Sequence, residues 1–208
     1  KSKLESWGAA TRTVGDVWDE ANGEALKEAK ISDMTYIHPF ADPRVIYGQG
    51  TISLEILHEN PNIDILLVAI GGGGLAAGVA AAAKLIRPEI TVIGIEPEGA
   101  PTHYDSRASG DLVTLSKIDT KAGTLAPRRS EPLNFNLISK YVDEIVLVSD
   151  NAMEDAARWL WFELGIAAEL SGAAAIAALS QKLVPIKNGS TVCSIICGGG
   201  TDGIGKTV

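Results

Sequence analysis

The chain has 208 residues, 46% of them hydrophobic, with a formal charge of −8 from 18 Lys and Arg against 26 Asp and Glu. That apolar content in a chain of this length builds a real core, which excludes a disordered protein, and without clustered cationic side chains there is no surface for nucleic-acid phosphates. The longest apolar stretch, 63–83, is broken by Asp64 and by glycines, so it is strand, loop and helix instead of a bilayer span; with no leader-like pattern ahead of it, a cytoplasmic location is expected.

Lys1–Trp7 has the pattern of a helix's last turns, closed by Gly8 and lacking an N-cap, as though the chain began inside an element. Amphipathic helical patterns follow at Asp16–Ala29 and Arg44–Glu59, separated by Met34–His38, a candidate strand. Ile63–Ile70, Leu75–Ile86 and Thr91–Ile95 then alternate as strand, helix and strand, the spacing of a βαβ unit. Between Gly99 and Pro132 the pattern dissolves into Gly, Pro, Ser, Thr and Asp, predicting a long loop with a short helix near Tyr104–Ala108. A strand at Glu144–Val148, a helix capped by Asn151 and running to Leu164, an Ala-rich helix capped by Ser171 and a strand at Thr191–Cys197 complete the chain. These alternations predict an α/β fold, an open and mostly parallel sheet with helices on both faces. The two cysteines, Cys193 and Cys197, fall on one face of the last strand with Cα atoms too far apart for a disulfide, so both are expected as free thiols.

The strongest chemical signal is Val68-Ala69-Ile70-Gly71-Gly72-Gly73-Gly74-Leu75, a buried strand entering four glycines and then a helix. Residues without Cβ let successive N–H groups converge, and the helix behind adds the positive end of its dipole, so an anion such as a phosphate fits there. No Lys-Ser/Thr pair follows, which excludes a Walker loop; Glu96, 22 positions after Gly74, keeps a Rossmann-type dinucleotide site open. His38, His58 and His103 have no metal-ligand spacing to one another or to the cysteines, and Gly-x-Ser-x-Gly is absent, which disfavours a serine hydrolase.

Four separated motifs, in order, resemble the fold-type II pyridoxal-phosphate enzymes of the threonine/serine dehydratase and serine racemase group: 38–43 with Gly48-Gln49-Gly50-Thr51, the loop 71–75, Glu169-Leu170-Ser171-Gly172-Ala173, and Cys197-Gly198-Gly199-Gly200. Leu170 stands where that group usually has Pro. The resemblance runs from about Lys3 to Asp202. It implies that 31–208 is the large cofactor-binding domain and 1–30 a remnant of the small domain or its exit helix. It implies pyridoxal 5'-phosphate as cofactor, its phosphate on the amides of Gly71, Gly72, Gly73, Gly74 and Leu75, and the Cys197 thiol facing the ring nitrogen. The group also carries a cation site; Glu96 and the Ala100 carbonyl match it, but Thr102 replaces the acidic ligand, so tight Mg²⁺ or Ca²⁺ binding is not expected.

The implied reaction converts a hydroxy amino acid, threonine or serine, to a 2-oxo acid and ammonia. The group's lysine segment, Ser-x-Lys-x-Arg-Gly-Ala, and its Ser-x-Gly-Asn loop do not occur in these 208 residues, so the chain alone is expected to be inactive. A homodimer or higher homo-oligomer is expected, through apolar area that the segment would cover. Two other readings stay open: a non-catalytic phosphate-binding or dimerising module, and the dinucleotide protein. Ala126-Pro127-Arg128-Arg129 is either an edge of the substrate pocket or a solvated basic patch.

Overall fold

The computed structural model describes residues 1–15 and 18–204 and divides the chain into two compact units, 1–37 and 38–208. In the first unit, helix α1 (Ser2–Ser6) ends before Gly8 and helix α2 spans Trp18–Ile31; neither buries a residue. Asp16, the predicted start of the second helix, lies outside the described residues. Polar contacts hold this unit, among them Arg12 on Glu24 at 2.9 Å and the Tyr36 hydroxyl on Asn22. Residues 34–38 form no strand and pair with none among the described residues, contrary to the strand expected there.

The second unit is built on a four-stranded sheet in the order β3-β2-β1-β4, parallel throughout. Its strands are β1 (Ile65–Ala69), β2 (Thr91–Pro97), β3 (Glu144–Val148) and β4 (Val192–Ser194). Side chains alternate along β1 and so feed two cores. Ile65, Leu67 and Ala69 join Met153, Leu160 and the alanines 173–178 on one face, whereas Leu66, Val68 and Ile70 join Ile46, Val79, Ala80 and Ile138 on the other. Leu66 and Leu67 are both fully buried, each worth about 1.5–3 kcal/mol in transfer free energy.

Helices α3 (Pro43–Glu59), α4 (Gly74–Ile86) and α6 (Pro132–Tyr141) cover the Leu66 face, and α7 (Asp150–Leu164) and α8 (Leu170–Ser180) cover the Leu67 face; α5 (Thr102–Ser109) lies between β2 and α6 in sequence. At the start of α3, Pro43 sits in the first turn and the Asp42 carboxylate accepts from Arg44 N at 2.8 Å. The predicted caps of the last two helices move by two residues. Ser149, not Asn151, caps α7 by accepting from Ala152 N, and α8 begins behind Glu169, with Ser171 inside it. The last strand keeps only three residues of the predicted 191–197, where among the described residues it has β1 alone as a ladder partner; Ile195 N still donates to the Leu67 carbonyl at 3.1 Å. Helix α6 was not anticipated from sequence.

Strand β1 lies between β2 and β4, and the chain runs from β1 to β2 on one side while β4 returns on the other. That reversal opens a crevice beyond the carboxyl ends of β1 and β4, where doubly wound sheets bind ligands. Both the glycine loop and Cys197 follow directly from those two strands.

Candidate active site

The fully buried β1 delivers Gly71–Gly74 to the start of α4. Gly73 is the N-cap of α4 at φ +91°, a left-handed conformation, and a Cβ there would stand 2.7 Å from both His103 Nε2 and Ile138 Cδ1. Among the described residues, no hydrogen bond takes the amide N–H of Gly71, Gly72, Gly73, Gly74 or Leu75, although Gly73 and Gly74 are buried. Buried backbone donors without an acceptor are rare, and here they follow one another into the positive end of a 13-residue helix. Such a cradle fits a phosphate.

Behind the loop stand three buried polar side chains that sequence reasoning did not assign to the site: His103, Ser130 and Asn134. Ser130 Oγ and Asn134 Nδ2 both donate to the Gly72 carbonyl, at 2.9 and 2.7 Å. Burial drives the His103 pKa down to about 4, against a smaller opposing effect of the Gly72 backbone, so its imidazole is neutral near pH 7. Pro132 in the first turn of α6, followed by Leu133, Leu137 and Tyr141 at helical spacing, is the signal that could have placed Asn134 on a helix facing inward.

Contacts lead from the glycine loop to the other motifs. A Cβ on Gly71 would lie 2.6 Å from the Thr124 carbonyl, and Thr124 Oγ1 donates to Glu169 Oε1 at 3.2 Å. The same Glu169 oxygen accepts from Ser171 Oγ. Glu169 N donates to the Gly198 carbonyl at 3.1 Å, beside Cys197, whose Sγ donates to the Ser171 carbonyl at 3.6 Å. Both cysteines are free. Cys197 is exposed as a residue, yet desolvation around its sulfur, ahead of smaller effects, raises its pKa and keeps the thiol neutral. Thr124, Glu169, Ser171 and Asp202 line a cleft of about 250 Å³. A larger hollow of about 530 Å³, between α3 and β4, opens at Ile63 and Val192 near the beginnings of the strands and away from these groups.

Lys121 also borders the cleft, but it pairs with Glu154 at 2.6 Å, and that hydrogen bond first of all raises its pKa. An amine that attacks a carbonyl needs the opposite shift. Arg128 Nε donates to the Leu115 carbonyl and Arg129 to the Leu112 carbonyl, so both arginines brace the long loop. Glu96 is fully buried, and its two oxygens accept from His103 N and Tyr104 N, each at 2.8 Å; burial lifts its pKa to about 8 against those two bonds. Thr102 Oγ1 donates to the Pro127 carbonyl, and the Ala100 carbonyl accepts from Thr102 N. Glu96 therefore fastens the start of α5. Although Glu96 stands near the carboxyl end of β2, its carboxyl is turned into the protein with both oxygens on α5 amides, unlike a ribose-binding acidic residue.

A parallel α/β unit with a glycine loop and a thiol at the switch of its strand order defines a phosphate-cofactor fold. The chain belongs to the family of pyridoxal-phosphate dependent enzymes, whose sequence pattern matches residues 1–198. It is 37% identical over 201 residues to the L-threonine ammonia-lyase of Thermotoga maritima, covering 97% of this chain and 50% of that protein. Over 167 residues it is 40% identical to a serine racemase of Oryza sativa subsp. indica, covering 78% of this chain and 49% of the relative. The structure of maize serine racemase superposes with a TM-score of 0.88 at 33% identity, over 95% of this chain and 62% of that one. The chain thus spans about half the length of the curated relatives it matches.

Proposed function

We propose that this chain is the phosphate-holding part of a pyridoxal-phosphate-dependent enzyme that converts threonine or serine to a 2-oxo acid and ammonia. The observation that carries the proposal is the run of five consecutive amides without acceptors among the described residues, Gly71 to Leu75, at the start of α4. The cofactor, when bound, supplies the electron sink that weakens bonds to the α-carbon of an amino acid. The chain's own part is to hold and orient. The loop amides would hold the phosphate, and the neutral Cys197 thiol would be a weak partner for the ring nitrogen that does not favour its protonation. Glu169 ties Thr124 to Ser171 and so joins the two sides of the cleft.

Residues 1–30 belong to the small domain or its exit helix and 31–208 to the large cofactor-binding domain, and the chain works as part of a homo-oligomer. Without a lysine in the family's catalytic context it binds the cofactor without a covalent bond and does not turn substrate over by itself. The similarity to serine racemases supports a second reading, racemisation of serine at the same site.

The test is a titration of the chain with pyridoxal 5'-phosphate, pyridoxal and NAD, followed by product analysis with L-threonine and L-serine. Pyridoxal 5'-phosphate is expected to bind roughly a hundredfold tighter than pyridoxal, through charge-assisted bonds to the loop amides. Borohydride is expected to leave the cofactor unattached, and neither 2-oxo acid nor D-serine to form. Equal affinity for pyridoxal and its phosphate, or tighter binding of NAD, contradicts the site assignment; turnover by the chain alone contradicts its inactivity.

A further inference from the structure

The Gly72 carbonyl lies one residue ahead of the Gly73 cap and outside the ladder of α4, whose first bond runs from Ala77 N to the Gly73 carbonyl at 2.8 Å. Instead it accepts from two side chains, Ser130 Oγ at 2.9 Å and Asn134 Nδ2 at 2.7 Å. Asn134 Nδ2 donates a second time, to the Phe40 carbonyl at 2.9 Å. Both residues are buried, Asn134 completely. With two carbonyls facing one end of the Asn134 amide, that end must be the NH₂ group, and its Oδ1 is left without a partner. A side chain that leaves a buried oxygen unpaired in order to grip two backbone carbonyls is placed for them.

In a planar trans peptide the C=O and the following N–H point to opposite sides. A Gly72 carbonyl held on Ser130 and Asn134 therefore sends the Gly73 N–H the other way, and no described residue accepts that N–H. The Phe40 tie fixes the neighbouring wall, since a Cβ on Gly74 would stand 2.5 Å from the Phe40 carbonyl. We infer that Asn134 and Ser130 are a pair of positioning residues that pre-set the Gly72–Gly73 peptide, so that the Gly73 amide is aimed at the cofactor phosphate before it arrives. The inference rests on the phosphate reading of the loop given above. Preorganised donors cost nothing to reorient on binding, so losing the pair weakens phosphate affinity.

The test uses the full chain with Ser130→Ala, Asn134→Thr, which keeps one donor, and Asn134→Asp, which keeps the shape and removes both donors. Dissociation constants are measured for pyridoxal 5'-phosphate and pyridoxal, together with melting temperature and the Gly73 amide resonance in the unliganded chain. Affinity for the phosphate-bearing ligand is expected to fall about fivefold in the Ser130 and Thr variants and about thirtyfold in the Asp variant. Pyridoxal affinity stays constant and the Gly73 resonance moves. If Asn134→Asp does not fold, the other two variants carry the test.

An unchanged phosphate-ligand affinity with an unmoved Gly73 resonance overturns the inference, as does an equal loss for both ligands, which marks a merely structural role. If the wild-type chain does not discriminate between the two ligands, the phosphate reading fails by itself. The Gly73 resonance then decides the clamp: displaced in Ser130→Ala and Asn134→Thr it stands, unmoved it falls.

Discussion

The two strands that frame the crevice support it very differently. Strand β1 is paired over five residues with β2 and over three with β4, is buried along its whole length, and the loop it carries is gripped from behind by Ser130 and Asn134. Strand β4 is a three-residue edge, half-exposed, and the Cys197 segment it carries is held by Glu169, Ser171 and the backbone of Ala167. The phosphate side of the site is thus built into the core of the fold, whereas the ring side hangs on its margin. Stability and phosphate affinity should follow the first, and changes at the second should be tolerated by the fold.

The largest expected effect comes from cutting into β1. Leu67→Ala removes a fully buried side chain between two paired strands and should cost about 3–4 kcal/mol, which lowers the melting temperature by roughly 10 °C. Val192→Ala on β4 should cost about 1 kcal/mol, and similar losses at both positions would show that the two strands support the crevice equally. Next is Gly73→Ala. Its left-handed backbone and the contacts with His103 and Ile138 predict a loss of about 2–3 kcal/mol in thermal unfolding, with roughly hundredfold weaker binding of pyridoxal 5'-phosphate.

A pH effect follows from Glu96. A carboxyl whose pKa is about 8 in the folded chain and about 4.5 when unfolded keeps its proton in the native state after the unfolded chain has released it. Stability therefore falls as pH rises across that interval. Above about pH 6.5, where the opposing contribution of neutral His103 is complete, the melting temperature should decline towards pH 8, and Glu96→Gln should flatten that decline. The smallest effect is expected at Cys197: Cys197→Ser should leave the melting temperature within about 1 °C and the affinity for pyridoxal 5'-phosphate within about threefold, because the thiol is a weak hydrogen-bonding group at an exposed position.

The alternation of strands and helices was legible because a parallel strand buried on both faces, such as 65–69, is an unbroken apolar run, and the glycines mark where it ends. Helix α6 was not, because Asn134 and Asn136 are weak helix formers within its ten residues and its stability comes from packing Ile138 against the Leu66 face of the sheet. The length of β4 depends on having one neighbour and not two, which composition does not encode. The clamp was invisible because Ser130 and Asn134 are separated from Gly72 by about sixty positions, and a helical pattern at 132–141 does not say which carbonyl the helix meets. His103 looked like its two fellow histidines until α5 folded it against Gly73.

The most direct test of the central claim is a crystal structure of the chain grown with pyridoxal 5'-phosphate. The account predicts phosphate oxygens within about 2.7–3.2 Å of the amide nitrogens of residues 71–75, with the ring nitrogen turned towards Cys197. A phosphate seated elsewhere, with those amides still unpaired, would contradict it.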